Sequence, residues 1–128
     1  MTREIKYCEI CGKPYAETHH IIYRRHCKPL ENCKLNQIDL CCLHHRDHKQ
    51  GAHHNKELDT RLKLEFQNKL EILWDKRYLT REEIKEVLEI ADKPLNKLLK
   101  PLTLQKGKYV REEVIRRCMG GRLILEGK

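Results

Sequence analysis

Apolar residues recur with a helical period through the middle of the chain. From 57 to about 77, Leu58, Leu62, Phe66, Leu70 and Leu73 follow one another at intervals of four and three. That spacing puts them on one stripe of a long helix, with Trp74 packing near its end. A second helical signal starts at Thr80. Thr80 and Glu83 have the spacing of a capping box, and Ile84, Val87, Leu88 and Ala91 continue it at i, i+3, i+4 and i+7. Asp92, Lys93 and Pro94 can cap and open a short helix through Leu99, which Pro101 should stop. In the stretch LTLQKGKYV (102–110), Gln105 to Lys108 form a Gly-containing turn between two apolar pieces, predicting a hairpin. The stretch VREEVIRRCM (110–119) reads as a last helix ended by Gly120 and Gly121.

Upstream of 57 no helical period is visible. β-branched residues are grouped at 18–22 (THHII) and 38–42 (IDLCC), which predicts two short strands in a loop-rich segment. Chemistry-bearing residues are concentrated in this same segment. All eight histidines fall between His19 and His54, and six of the seven cysteines between Cys8 and Cys42. With 5% aromatic residues in 128, large rings are scarce, and a bound metal would compensate for a thin core.

The opening MTREIKYCEI offers no apolar stretch of signal-peptide type, so metal binding in a cytoplasmic setting is favoured over a secreted disulfide framework. No apolar run approaches the roughly 20 residues of a membrane-spanning helix, and no membrane partner is expected. A formal charge of +8 suits a polyanion, with nucleic acid ahead of acidic membrane.

Two knuckles specify a metal site. Cys8 and Cys11, followed by Gly12, form a Cys-x-x-Cys turn, and Cys41 with His44 supplies a Cys-x-x-His partner. Four such ligands fit a closed tetrahedral zinc whose role is scaffold. On spacing alone Cys42 with His45 is an equal alternative, and Cys27 and Cys33 could add or exchange ligands.

Taken in order, the Cys8–Cys11 knuckle, the His19-His20-Ile21 strand, Asn36, Leu40-Cys41 and the pair His44-His45 resemble the HNH (ββα-metal) endonuclease family. His44 stands where the family pattern commonly has Cys, which fixes the knuckle register and leaves His45 as the family's final His. The stretch GAHHN (51–55), with Gln67 beyond it, is similar to a phage-type branch carrying a Gly-x-His-x-Asn element. The resemblance implies His20 as general base. It makes His19, His45 and His53 ligands of one catalytic divalent ion, with His48 and His54 competing for the third place. It gives Asn55 the role of a brace, and it has Asn36 orienting the strand and holding His20 by side-chain hydrogen bonds. Imidazole-rich coordination favours Zn, Ni, Mn or Co over Mg. Arg24 and Arg25 after the strand either clamp phosphate or are merely solvated, and Tyr23 is assigned to packing. The stretch 80–121 resembles an excisionase-like winged helix-turn-helix, implying DNA contacts by Asn96, Lys97 and Lys100 on its second helix and by Lys106 and Lys108 on its wing.

The expected architecture is α+β. A zinc-stapled, treble-clef-like ββα-metal nuclease core occupies 1–56, a connecting helix 57–78, and a winged helix-turn-helix 79–128. The expected activity is hydrolysis of DNA phosphodiester bonds, by a phage or mobile-element enzyme in the cytoplasm of a bacterial or phage-infected cell. Cutting of both strands would call for a homodimer, two sites or sequential events. The competing expectation is a zinc-stabilised DNA-binding regulator without catalysis.

Overall fold

A computed structural model describes residues 5–47 and 51–125. The protein is α+β, with two two-stranded antiparallel sheets and five α-helices among the described residues. Strands β1 (Glu17–His20) and β2 (Gln37–Leu40) pair so that Glu17 faces Leu40 and His20 faces Gln37. Two 3-10 turns, Lys28–Leu30 and Lys34–Asn36, occupy the connection between them. The short helix α1 (Cys42–Arg46) comes directly after β2. No helix among the described residues is long and apolar enough to cross a membrane.

Helix α2 (Lys56–Leu73) starts at Asn55, whose side chain accepts from the Leu58 N–H and so satisfies one of the open donors of the first turn. It buries Leu62, Phe66 and Leu70 on the expected stripe, together with Gln67. It ends four residues before the expected 77, and Leu73 is half-exposed. The physical reason is a change of partners at Trp74. Its side chain turns into the core, the indole N–H donating to the Glu83 carbonyl, and the Arg111 guanidinium takes the Glu71 and Trp74 carbonyls that would otherwise propagate the helix.

Strand β3 (Tyr78–Leu79) then leads into α3 (Arg81–Leu88). Both bonds of the capping box are made, Thr80 to the Glu83 N–H and Glu83 back to the Thr80 N–H. Helix α4 (Asp92–Leu99) has Ala91 at its N-cap, because the Asp92 carboxylate is engaged by Lys85 and Arg81. Strand β4 (Tyr109–Val110) and helix α5 (Arg111–Cys118) complete the order.

The expected hairpin is reduced to a single bridge between Gln105 and Lys108, with Lys106 and Gly107 both at positive φ. β4 takes as its partner β3, about thirty residues earlier, rather than the apolar piece at 102–104. The side chains explain the choice. Leu79 is fully buried in this register, whereas Leu104 is half-exposed.

The three segments expected from the sequence share one connected core, running from Cys8 to Met119. α4 closes over the Lys28–Leu30 turn, and α5 packs against α4 and α2. Arg117 donates to the Leu98 and Lys97 carbonyls and so caps the end of α4. The Gln67 carboxamide pairs with both backbone groups of Ile124, holding the chain beyond α5 against α2.

Candidate metal centres and catalytic cleft

Cys8, Cys11, Cys41 and His44 converge at one end of the β1–β2 sheet, with all four donor atoms within 4.8 Å of one another. Cys8 Sγ lies 3.6 Å from His44 Nδ1, Cys11 Sγ 3.6 Å from Cys41 Sγ, and Cys41 Sγ 3.4 Å from His44 Nδ1. Tetrahedral bonds of about 2.3 Å to sulfur and 2.0 Å to nitrogen require donor separations of roughly 3.4–3.8 Å, so these residues fit a zinc ion. Burial opposes ionisation of Cys8, but backbone N–H groups of Cys41, Cys11 and Ile10 outweigh it and bring the thiol down to about 6. Gly12, at positive φ, completes the first knuckle. Cys42 points to solvent, and Cys27 and Cys33 lie buried in the core, so none of the three replaces a member of this group.

A second convergence includes a residue of β1 itself. His19, His45 and His53 bring one ring nitrogen each within 4.8 Å of the others. Their ring centroids are 4.7 to 5.1 Å apart. The local fold dictates this. His19 comes from β1 and His45 from α1, while His53 is returned to them by a turn at Gly51. That turn runs so close to α1 that a Cβ on Gly51 would meet the Asp47 backbone at 2.5 Å. The Ala52 N–H then bonds the His44 carbonyl and the His53 N–H the His45 carbonyl. His54 lies outside the trio, and His48 lies outside the described residues.

Two observations test whether these imidazoles fit a cation. His19 is 1% exposed, yet neither of its ring nitrogens has a hydrogen-bond partner. An unsatisfied buried polar atom costs about 1–3 kcal/mol, so a buried imidazole with two is a ligand in search of an electrophile. His45 Nδ1 lies 3.0 Å from Glu17 Oε1, and its Nε2 lies 3.0 Å from His53 Nε2. The carboxylate fixes the proton on Nδ1 and turns the Nε2 lone pair toward His53, the arrangement in which a carboxylate orients a metal-binding histidine. Burial, with the neighbouring His53 and His45, pushes His19 down to about 4; burial and His45 likewise lower His53. Both are therefore neutral at pH 7, the form that donates a lone pair.

His20 occupies a different environment. Its Nε2 is 2.9 Å from the Glu31 carbonyl oxygen. A carbonyl can only accept, so Nε2 carries the proton and Nδ1 is left as a base. The same carbonyl accepts from Gln37 Nε2, which fixes its position. Asn36, fully buried, does not bond to His20. Its Oδ1 accepts from the Ile22 N–H, and its Nδ2 donates to the Ile22 and Leu30 carbonyls. It staples the end of the strand to the turn that carries Glu31, and so seats His20 through the backbone on both sides.

The two sets open into one cleft of about 670 Å³ lined by Thr18, His19, His20, Tyr23, Arg24, Arg25, His45, Arg46 and His53. Arg24 pairs with Glu31, Arg46 makes a two-pronged contact with Glu17, and Arg25 lies over the Tyr23 ring. Tyr23 packs, and a hydrogen bond anchors it. Its ring contacts His19 and His53, and its hydroxyl donates to Asp59, which Lys63 also engages.

Glu17, Glu31 and Asp59 were not singled out from the sequence. Glu17 was recoverable, because it sits two residues before His19 and strand alternation puts both on one face. The Glu31 carbonyl and Asp59 carry no local signal.

Of the expected DNA-contacting residues, Lys97, Lys100, Lys106 and Lys108 are exposed, whereas the Asn96 carboxamide is engaged by Arg81 at 2.7 Å. Comparison of the chain with family models, with curated proteins and with solved structures finds no match.

Proposed function

We propose that the protein is a metal-dependent DNA endonuclease of the HNH, ββα-metal type, hydrolysing phosphodiester bonds to leave 5′ phosphate and 3′ hydroxyl ends. The observation that carries this reading is His19. It is buried with two unpartnered nitrogens between His45 and His53, one residue from a histidine whose free nitrogen is a base. A purely structural zinc cluster accounts for the Cys8 group and gives no reason for the second.

His19, His45 and His53 would hold a divalent ion, which when bound would supply positive charge to offset that of the phosphate and the leaving group. His20 Nδ1 takes the proton from the attacking water as the new P–O bond forms and the P–O3′ bond breaks, and the leaving 3′ oxygen takes a proton from solvent water to become the 3′ hydroxyl. The Glu31 carbonyl keeps His20 in the tautomer with Nδ1 free. Glu17 holds the His45 ring, and its bonds to His45 and Arg46 keep it ionised. Arg24 and Arg25 give the cleft wall the charge a phosphate needs. All-imidazole donation favours Zn, Ni, Mn or Co over Mg.

The order β3, α3, α4, β4, α5, with the exposed Lys106-Gly107 turn ahead of β4, supports a winged helix-turn-helix reading of the carboxy-terminal part, with α4 as its recognition helix.

The test is nicking of supercoiled plasmid by metal-stripped protein reloaded with knuckle zinc and then given Mg, Mn, Ni, Co or Zn. Nicking with the softer ions, abolished in His20→Ala at unchanged zinc content, is the expected result. Absence of nicking with every ion, with DNA binding retained, would instead make the protein a zinc-stabilised DNA-binding regulator.

A further inference from the structure

A second concavity, of about 290 Å³, lies between the Lys28–Leu30 turn and α4 and includes Lys28, Glu31, Glu89, Lys93, Pro94 and Lys97 in its lining. The two concavities share a wall. Arg24 lines the cleft, Glu31 lines the groove, and the two side chains pair at 3.3 Å. Glu31 is also the residue whose carbonyl holds His20. The base and the groove beside α4 are thus attached to one segment of backbone.

Charge in the groove is unevenly engaged. Of its acidic groups, Glu31 is paired with Arg24, leaving Glu89. Among the described residues, the ammonium groups of Lys28, Lys93 and Lys97 have neither an ion-pair nor a hydrogen-bond partner, in contrast to Lys63, Lys76 and Lys85. Lys93 and Lys97 are one helical turn apart, and Lys100 continues the row at the next turn. Solvated cations in a row along α4, in a groove that adjoins an arginine-bearing cleft, match the repeat of a phosphodiester backbone better than any compact anion.

From this juxtaposition we infer that the cleft and the groove form one nucleic-acid track. The strand leaving the catalytic cleft passes over the Arg24–Glu31 pair and lays its phosphates on Lys28, Lys93 and Lys97. This inference rests on the reading that the cleft receives a nucleic-acid phosphate. It changes the role of α4. The helix bears on the Lys28–Leu30 turn and shares its core with Ile21 and Ile22, which follow His20 directly, so it is fixed relative to His20. A duplex gripped by α4 is therefore cut at a constant offset from the grip.

The test uses the full chain in its His20→Ala form, zinc-loaded, with a fluorescent mixed-sequence duplex of roughly 30 base pairs, titrated between about 50 and 200 mM salt. Lys28→Ala, Lys93→Ala and Lys97→Ala are compared singly and together with Lys106→Ala/Lys108→Ala. All five side chains are exposed, and unchanged zinc content and thermal midpoint certify folding.

Each phosphate contact removed should lower the slope of log affinity against log salt by about 0.9, so the triple variant loses between about two and three units. A triple variant with its parent's slope and affinity overturns the track, as does a parent that binds no duplex. Plasmid nicking separates this from the hydrolytic reading. Wild type that nicks while the triple variant binds normally defeats the track alone. Wild type that never nicks, with the triple variant impaired in binding, defeats the hydrolytic reading alone and leaves the track standing.

Discussion

Removing the Asn36 carboxamide should disable the protein through its backbone rather than through direct loss of a reacting group. The side chain is fully buried and makes three bonds, at 2.7 Å from the Ile22 N–H and at 3.0 and 3.3 Å to the Ile22 and Leu30 carbonyls. Asn36→Ala leaves one buried donor without a partner and strips one bond from each of two carbonyls. The Ile22 carbonyl and N–H are the more serious losses, because Ile22 is 2% exposed and water cannot easily replace the carboxamide. At about 1–3 kcal/mol for an abandoned buried group, and toward the lower end for carbonyls, the sum is about 4 kcal/mol. That is a large fraction of the roughly 5–15 kcal/mol that holds a domain folded. Urea unfolding at fixed free zinc, with a slope near 2 kcal/mol per molar, would register it as a midpoint about 2 M lower. Asn36→Asp is the sharper companion. It keeps the acceptor for the Ile22 N–H but aims a carboxylate oxygen at two carbonyls, so it should be no milder than Ala. A loss below about 1 kcal/mol for both variants would refute the stapling argument.

Glu17→Gln should weaken metal binding at the histidine trio by about 10- to 100-fold while leaving knuckle zinc in place, as read by competition with a chromophoric chelator; equal affinity would deny Glu17 its orienting role. Gly51→Ala forces a Cβ against Asp47 N at 2.5 Å, Asp47 O at 2.6 Å and Arg46 C at 2.8 Å, all backbone atoms that cannot swing aside. A loss of about 2–3 kcal/mol is expected, with metal affinity at the trio falling before knuckle zinc is lost. The metal-free trio should also make stability acid-sensitive. His19 stands near 4 in the fold against 6.5 in the unfolded chain, so below 6.5 the unfolded chain takes up the proton first. The contribution is complete above 6.5 and disappears as pH falls through about 4, worth about 3 kcal/mol across that window. His19→Phe should flatten that part of the profile. Chelation of the knuckle zinc should unfold the amino-terminal half, monitored by loss of chemical-shift dispersion.

The sequence was most legible where residue type and spacing are themselves the mechanism. The Cys8–Cys11 knuckle and its Cys-x-x-His partner need only two short loops of fixed length, and Thr80 with Glu83 needs only one helical turn; both are visible as strings, though spacing alone does not separate Cys41–His44 from Cys42–His45. The helical stripes of α2 to α5 were readable for the same reason. What a string does not carry is which backbone group faces which side chain. The end of α2 is set by Arg111, nearly forty residues away, and the partner of β4 by the burial of Leu79. His20 is held by a carbonyl, for which residue identity gives no signal, and Asn36 acts on backbone atoms rather than on the His20 ring. The choice of His53 over His54 depends on the approach of Gly51 to α1, a contact between backbones.

Two metal centres with separate work is the central claim, and anomalous scattering tests it most directly. Crystals of zinc-loaded protein soaked in manganese or nickel, with data collected at both metal edges, should show zinc among Cys8, Cys11, Cys41 and His44. The second metal should appear bonded to one nitrogen each of His19, His45 and His53. A histidine trio that stays closed without metal at saturating concentration, or a second peak bound by other residues, would contradict it.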